Sequence, residues 1–210
     1  MGLKSNVTCI SVAYGDYWDL FAEQWINSIK QLDPAAADVI LVTDVPRNIV
    51  GIRNISIGDG HMADYFNAAV AEVDTPWLVM SGFDDIWLPQ AMKPFDTNAD
   101  AYGYPMLRTG LLNGLFGYSG GYESILEVTH NPMLGGVFHR TALMREMPFR
   151  RMGWFDWAHY AEMRAKGKSY MASDEPRAIQ VRHQRAHSIE ANAAYQEEIE
   201  RFKAQLRAGG

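Results

Sequence analysis

Apolar positions recur along this chain with two periods, and the switches between them mark out its elements. Val7-Thr8-Cys9-Ile10-Ser11-Val12 is a short, β-branched run that stops at Ala13-Tyr14-Gly15-Asp16, which predicts a strand and a turn. Trp18, Phe21, Trp25, Ile26, Ile29 and Leu32 then return every three or four residues, one face of a helix that Pro34 ends. Asp38-Val39-Ile40-Leu41-Val42-Thr43-Asp44 is almost continuously apolar, as strands buried on both faces are, and Pro46 closes it. Ile55 and Ile57 suggest a short third strand before Gly58-Asp59-Gly60. Met62, Tyr65, Phe66, Ala69 and Val70 give a second helix within His61 to Val73. Thr75-Pro76-Trp77-Leu78-Val79-Met80-Ser81 is another buried strand, ending at Gly82-Phe83-Asp84-Asp85.

The first half therefore predicts β-α-β-β-α-β, the pattern of an α/β fold with a mostly parallel sheet flanked by helices. Such sheets bind ligands outside the carboxyl ends of their strands. Tyr14, Asp16, Asp44, Asp84 and Asp85 all fall at those ends. The second half is less regular. Gly103 to Gly136 carries Gly, Pro and Asn at short spacing, including Gly117-Tyr118-Ser119-Gly120-Gly121-Tyr122. This stretch is either a set of short strands and turns or a lid and acceptor-shaping region. Asp156 to Lys166 is helical in pattern, with Gly167 as its C-cap. Ala178 to His183 predicts a last strand, and Ser188 opens a polar helix to Arg207 that is expected to be a solvated surface element.

Composition narrows the class without naming a chemistry. The chain has 210 residues, 48% of them hydrophobic and 21% charged, so it suits one globular domain that needs no staple to fold. A single cysteine, Cys9, excludes an internal disulfide framework and is expected to be a buried thiol. The net charge of −6 argues against a broad nucleic-acid-coating surface, although a local basic patch stays open. No stretch approaches the ~20 apolar residues of a membrane span, and none matches a signal peptide. A soluble, cytoplasmic protein is the expectation.

Three local clusters could carry chemistry. Asp84 and Asp85 are adjacent carboxylates just past a buried strand, a costly placement that a divalent cation would compensate. They equally suit capping of the following turn. In Phe155-Asp156-Trp157 a carboxylate opens a helix between aromatic rings, which suits either a general base or a helix N-cap. The third is Arg182-His183-Gln184-Arg185-Ala186-His187-Ser188. Its two histidines stand four apart without the glutamate of a His-Glu-x-x-His zinc site, so a zinc hydrolase is not indicated.

Taken in order, these segments resemble the inverting, family 2-like glycosyltransferases of GT-A fold over roughly residues 5 to 190. Trp77 to Pro89 resembles the family's metal-binding turn, where a strand ends in Asp-x-Asp-Asp, often before Trp-Leu-Pro. Gly82 stands in the place of the first Asp, and the metal-holding Asp falls on Asp84. Val39 to Asp44 is similar to the second strand, whose terminal Asp contacts the nucleotide. Tyr14-Gly15-Asp16 occupies the first strand's nucleotide-facing turn. Asn67 falls where an Arg-Asn pair is common, with Phe66 in the Arg place. Phe155-Asp156-Trp157, followed by Arg164 and Gly167, resembles the Glu-Asp-Trp element whose Asp is the general base, with Phe155 in the Glu place. His183 with Ser188, or the shorter Arg185-Ala186-His187, resembles the strand end that closes the catalytic domain.

The resemblance implies a single GT-A-like (Rossmann-like) domain, with a nucleotide-sugar half over about 1–100, an acceptor half over about 101–190 and the polar helix after it. It implies a metal-dependent inverting transferase that moves a hexosyl group from a nucleotide-diphospho-sugar (UDP-, GDP- or other) to an acceptor hydroxyl. Asp156 would be the base. Tyr14, Asp16, Asp44, Asn67, Asp84, Arg182 and Arg185 would hold the donor, and Mn²⁺ or Mg²⁺ would sit on Asp84, Asp85 and His183 or His187. Tyr104, Tyr118, Tyr122 and Trp157 would shape an acceptor site whose occupant, glycan, protein, small molecule or modified DNA base, is not legible. Gly82 and Phe155 motivate one alternative, a non-catalytic sugar- or nucleotide-binding relative. A nucleotidyltransferase is the other, and it lacks the expected Gly-rich basic loop after the first strand.

Overall fold

The computed structural model describes residues 5–95, 97–110, 114–116, 122–127, 136–182 and 196–208. Six of the strands run parallel, in the mostly parallel sheet that the sequence predicts: β1 (Val7–Ala13) lies between β2 (Asp38–Thr43) and β4 (Trp77–Gly82), with β3 (Arg53–Ser56) outside β2 and, at the far edge, β10 (Tyr170–Ala172) beside β6 (Ala101–Tyr104). Between β4 and β6 the chain inserts β9 (Gly136–Arg140), antiparallel to both. The sheet thus has seven strands in the order β10-β6-β9-β4-β1-β2-β3. A smaller sheet joins β5 (Ile86–Trp87), β11 (Ala178–Arg182), β7 (Met106–Gly110) and β8 (Gly114–Phe116). The pattern in Gly103–Gly136 therefore includes real strands, β6 through β9, in its described parts.

Alternation along the strands sorts the core into layers. Cys9, Leu41, Val79 and Phe138 face one way and pack with Trp25 of α1 (Tyr17–Lys30), Phe83 and Trp87. Ile10, Ile40 and Leu78 face the other way, against Tyr65, Phe66, Ala69 and Val70 of α2 (Met62–Ala71) and Met144 of α3 (Thr141–Glu146). Each of the fully buried large side chains contributes roughly 1.5–3 kcal/mol over its exposed state. The helix α2 starts on a reciprocal cap: His61 Nδ1 accepts from the Ala63 amide at 3.1 Å and Asp64 Oδ2 accepts from the His61 amide at 3.1 Å.

The C-terminal helix departs from expectation. Its described span, α5 (Gln196–Ala208), is part of the core and not only a solvated face. Ile199 and Phe202 are buried against Trp157 and Ala161 of α4 (Phe155–Ala165), with the Phe202 and Trp157 rings 6.2 Å apart. Three apolar positions at helical spacing, Ile199, Phe202 and Leu206, suffice to dock a helix whose composition is otherwise charged. Residues 183–195, where the start of that helix was expected, lie outside the described residues. No helix among the described residues is long and apolar enough to cross a membrane.

Candidate active site

At the carboxyl edge of the main sheet lies a cavity of about 340 Å³. The turn after β4 forms one wall. Phe83 is buried between Trp18 and Trp25, which fixes the turn from below. The Asp85 amide donates to the Gly82 carbonyl at 3.2 Å, and the Gly82 amide donates to Asp85 Oδ2 at 3.0 Å. Gln24 Nε2 holds the Asp84 carbonyl at 3.2 Å. A Cβ at position 82 would stand 2.4 Å from Asp84 Oδ1 and 3.1 Å from Asp85 Oδ2. The glycine is thus the reason both carboxylates fold back onto one small space beside the main chain.

That convergence of two hard oxygen donors fits a Mg²⁺ or Mn²⁺ ion whose remaining positions come from substrate phosphate and water. Among the described residues no group of three or more His, Cys, Asp or Glu side chains is arranged to hold a metal. His183 and His187 lie outside the described residues. The strand leading to them, β11, pairs with β5 directly after the Asp84-Asp85 turn, and its Gln180 and Val181 line the cavity.

Asp156 lines the same cavity. It lies in the first turn of α4, where its Oδ1 accepts from the Trp157 amide at 2.8 Å, and it lines the cavity together with Tyr160 one turn on. Two carboxylate elements far apart in sequence therefore open into the same space. Tyr14 and Tyr17 stand at its rim with their rings stacked at 5.7 Å, and Tyr65 continues the stack at 6.2 Å from Tyr14. Burial, reinforced by the Asp84 carboxylate, pushes the Tyr17 phenol up to about 12 and moves Tyr14 in the same direction. Both hydroxyls are protonated donors near neutral pH.

Register divides the cavity into two arms. His139 pairs with Leu78 and Ala101, so it points to the α2 side of the sheet, with Phe66, Phe149, Phe155, Asp156 and Tyr160. Tyr104 pairs with Gly136 and points to the other side, with Ser81, Phe83, Asp85 and Gln180. Gly136 is required there, because a Cβ would stand 1.8 Å from the Tyr104 ring.

Several expected site residues are placed elsewhere. Trp157 is fully buried under α5 and offers no surface to an acceptor. Tyr122 is 3% exposed, stacks on Tyr170 and gives its hydroxyl to the Lys168 carbonyl at 2.7 Å, so it too is structural. Asn67 spends its amide on Phe149, accepting from its N–H and donating to its carbonyl, both at 2.9 Å. It ties α2 to the segment before α4 and does not line the cavity. Asp44 also stays outside the lining: it accepts from the amides of Gly15 at 2.8 Å and Val45 at 2.9 Å, and so holds the Tyr14-Gly15 turn, where Gly15 has φ +56°. Asp16 is exposed at the N-cap of α1, without a side-chain cap bond. Arg185, His183, His187 and Tyr118, and the side chain of Arg182, fall outside the described residues.

Sequence reasoning missed Tyr17, His139, Tyr160 and Gln180. Tyr160 had a signal, its four-residue step from Asp156. His139 had a weaker one, a polar residue within the apolar run Val137-Phe138-His139.

No family model matches the chain, and no curated protein matches it. Solved structures do. Residues 1–349 of TarS from S. aureus, in complex with UDP-GlcNAc, superpose with a TM-score of 0.72 at 13% identity, over 95% of this chain and 66% of that one. The mannosyltransferase PcManGT from Pyrobaculum calidifontis, in complex with GDP-Man and Mn²⁺, superposes with a TM-score of 0.62 at 14% identity, over 99% of this chain and 69% of that one. This chain spans just under two thirds of the TarS structure. At these identities the likeness is one of fold, and the fold is the GT-A-like, mixed and mostly parallel sheet flanked by helices.

Proposed function

We propose that this protein transfers a sugar from a nucleotide-diphospho-sugar to an acceptor hydroxyl, in a metal-dependent, inverting reaction. The observation that carries the proposal is the opening of Asp84-Asp85 and Asp156 into one cavity at the carboxyl edge of the sheet. The fold likeness supports it, since the TarS and PcManGT structures hold UDP-GlcNAc and GDP-Man.

In this reading the nucleotide lies over the Tyr14-Gly15 turn that Asp44 secures, and the stacked rings of Tyr14 and Tyr17 form its wall. The phenolic hydroxyls of that stack donate to donor oxygens. Asp84, with Asp85 behind it, would hold Mn²⁺ or Mg²⁺, which when bound supplies charge neutralisation for the departing diphosphate. β11 pairs with β5 just past the Asp84-Asp85 turn and ends at Arg182; Arg182, and Arg185 after it in the sequence, are proposed to add positive charge to the donor site. Asp156 accepts the proton of the acceptor hydroxyl as the oxygen attacks the anomeric carbon, from the face opposite the diphosphate. Tyr104 and Tyr118 are proposed to border the acceptor.

The test is release of free nucleoside diphosphate from a panel of UDP- and GDP-sugars, with and without Mn²⁺, on wild type and Asp156→Asn. Transfer or slow donor hydrolysis is expected for wild type. The variant should lose about 10²–10⁴-fold in rate with donor binding kept. Undiminished turnover by the variant would remove Asp156 from the mechanism. Donor binding with no release by wild type across many acceptors would favour a binding protein instead.

A further inference from the structure

We propose that His139 binds a hydroxyl of an uncharged sugar ring, the ring transferred from the donor, in the arm of the cavity that Asp156 overlooks. This rests on the transferase reading and names a part of the site that neither the sequence resemblance nor the fold likeness assigns.

His139 lies in the middle of the sheet on β9, 1% exposed, and lines the cavity. The backbone of Val137, two residues back on the same strand, is offered to one ring nitrogen, and no partner among the described residues is within hydrogen-bond geometry of the other. Leaving buried polar groups unpaired costs about 1–3 kcal/mol each, and native proteins rarely do so without a ligand or water to complete them. The ring is also held rigidly. Tyr160 stacks on it at 5.7 Å and 14°, and His159 meets it edge-on at 5.5 Å. An unsatisfied group on a central strand, braced from two sides and opening into a cavity, has the form of a binding site awaiting its ligand.

The chemistry of the ligand follows from the surroundings. Burial holds the imidazole well below its ordinary value, with His159 adding to the effect, so it is neutral. With the ring N–H turned to the Val137 carbonyl, a neutral imidazole keeps its other nitrogen as an acceptor, which suits a hydroxyl that donates. The rest of the arm is aromatic and apolar, Phe149 and Phe155 among it, which suits the C–H faces of a sugar ring. No lysine or arginine is among the described residues that line the cavity, and Asp156 is in the same arm. An anionic ring would meet the Asp156 carboxylate with no described lysine or arginine lining the cavity to offset it. In the transferase reading the ring lies between the diphosphate near Asp84 and the attack site at Asp156, and His139 lines the same cavity as both.

The experiment is calorimetric binding with Mn²⁺ present. UDP, GDP, UDP-GlcNAc, UDP-glucose, GDP-mannose and UDP-glucuronate are titrated into wild type, His139→Phe and His139→Leu. Wild type should bind its best uncharged nucleotide-sugar at least about tenfold more tightly than the matching bare nucleotide, one good hydrogen bond's worth. His139→Phe keeps the stack on Tyr160, so it should bind the bare nucleotide as wild type does and lose that increment. His139→Leu repeats the test if the phenylalanine variant does not fold. The proposal is overturned if the increment survives in either folded variant, if the sugar adds nothing in wild type, or if UDP-glucuronate binds as tightly as the best uncharged UDP-sugar. An unchanged increment with only a raised acceptor KM would also overturn it, by giving the arm to the acceptor. Failure of wild type to bind any of the six would sink the transferase reading itself, which is a different outcome.

Discussion

Phe66 and Phe155 pack ring against ring at 5.9 Å across the junction of α2 and α4, with Phe149 edge-on to both. These are the two positions at which the chain carries phenylalanine where its resemblance to the glycosyltransferases calls for Arg and Glu. The departures are thus neighbours in space. An apolar pair can replace a polar one at little cost if both partners change together, whereas a single charge left in such a place is strongly unfavourable. Phe155→Glu alone should destabilise the protein by about 1–3 kcal/mol, because its carboxylate would enter the Phe66–Phe149 cluster. Phe66→Arg combined with Phe155→Glu should recover at least about 1 kcal/mol. Urea denaturation of the four proteins in the cycle measures the coupling, and additive effects would show that the two sites are independent.

Gly82 is matched to its surroundings in the same way. Asp84 Oδ1 occupies the space that any side chain at 82 needs. That oxygen ends a short, movable side chain, so Gly82→Ala should change the melting temperature little. It should, however, turn Asp84 away from Asp85 and weaken Mn²⁺-dependent nucleotide binding by about tenfold or more, as loss of a supporting contact does at metal sites. Gly82→Asp, which restores the family's usual residue, should weaken it too. Calorimetry with and without Mn²⁺ reads both, and tighter binding by the aspartate variant would contradict the account.

The buried histidines make stability fall with acid. Burial pushes His159 down to about 4, against about 6.5 in an unfolded chain. Between those values the unfolded chain holds the extra proton, so stability declines as pH drops through that window and is fully present above it. His139 contributes in the same direction. The groups around His159 are His139, Tyr160, Phe149 and the Glu162 carboxylate. Arg150 and then Lys166 hold Glu162 down to about 2, so its own contribution is lost only below the ordinary glutamate range. Melting temperature should therefore fall between pH 7 and pH 5, and His159→Phe should flatten part of that slope. An unchanged slope would place the titration elsewhere.

Trp157 was a candidate acceptor contact by sequence and is a core residue by structure. Trp157→Ala should cost about 3–5 kcal/mol by emptying the space between α4 and α5, which Phe202 and Ile199 share. Its effect on the KM of any acceptor should be secondary to that loss. Full stability with altered acceptor preference would reverse the assignment.

The alternating strands and helices of the first half were legible because each buries a periodic face, and period is a local property of the chain. β1 to β4, with α1 and α2 between them, therefore fall where the pattern of Val7 to Ser81 puts them. Asp84 and Asp156 were legible as candidates because a carboxylate at the end of a buried strand, or at a helix start among aromatics, is unusual in any fold. The sequence alone could not say that these two share a cavity, because the antiparallel insertion of β9 between β4 and β6 brings α4 over the strand ends, and strand order depends on distant pairings. It also could not separate Trp157, Tyr122 and Asn67, which hold the structure, from His139 and Tyr160, which face the cavity. Burial and partner geometry decide that difference: an aromatic or amide residue has the same local pattern whether its side chain ends in the core or in the site.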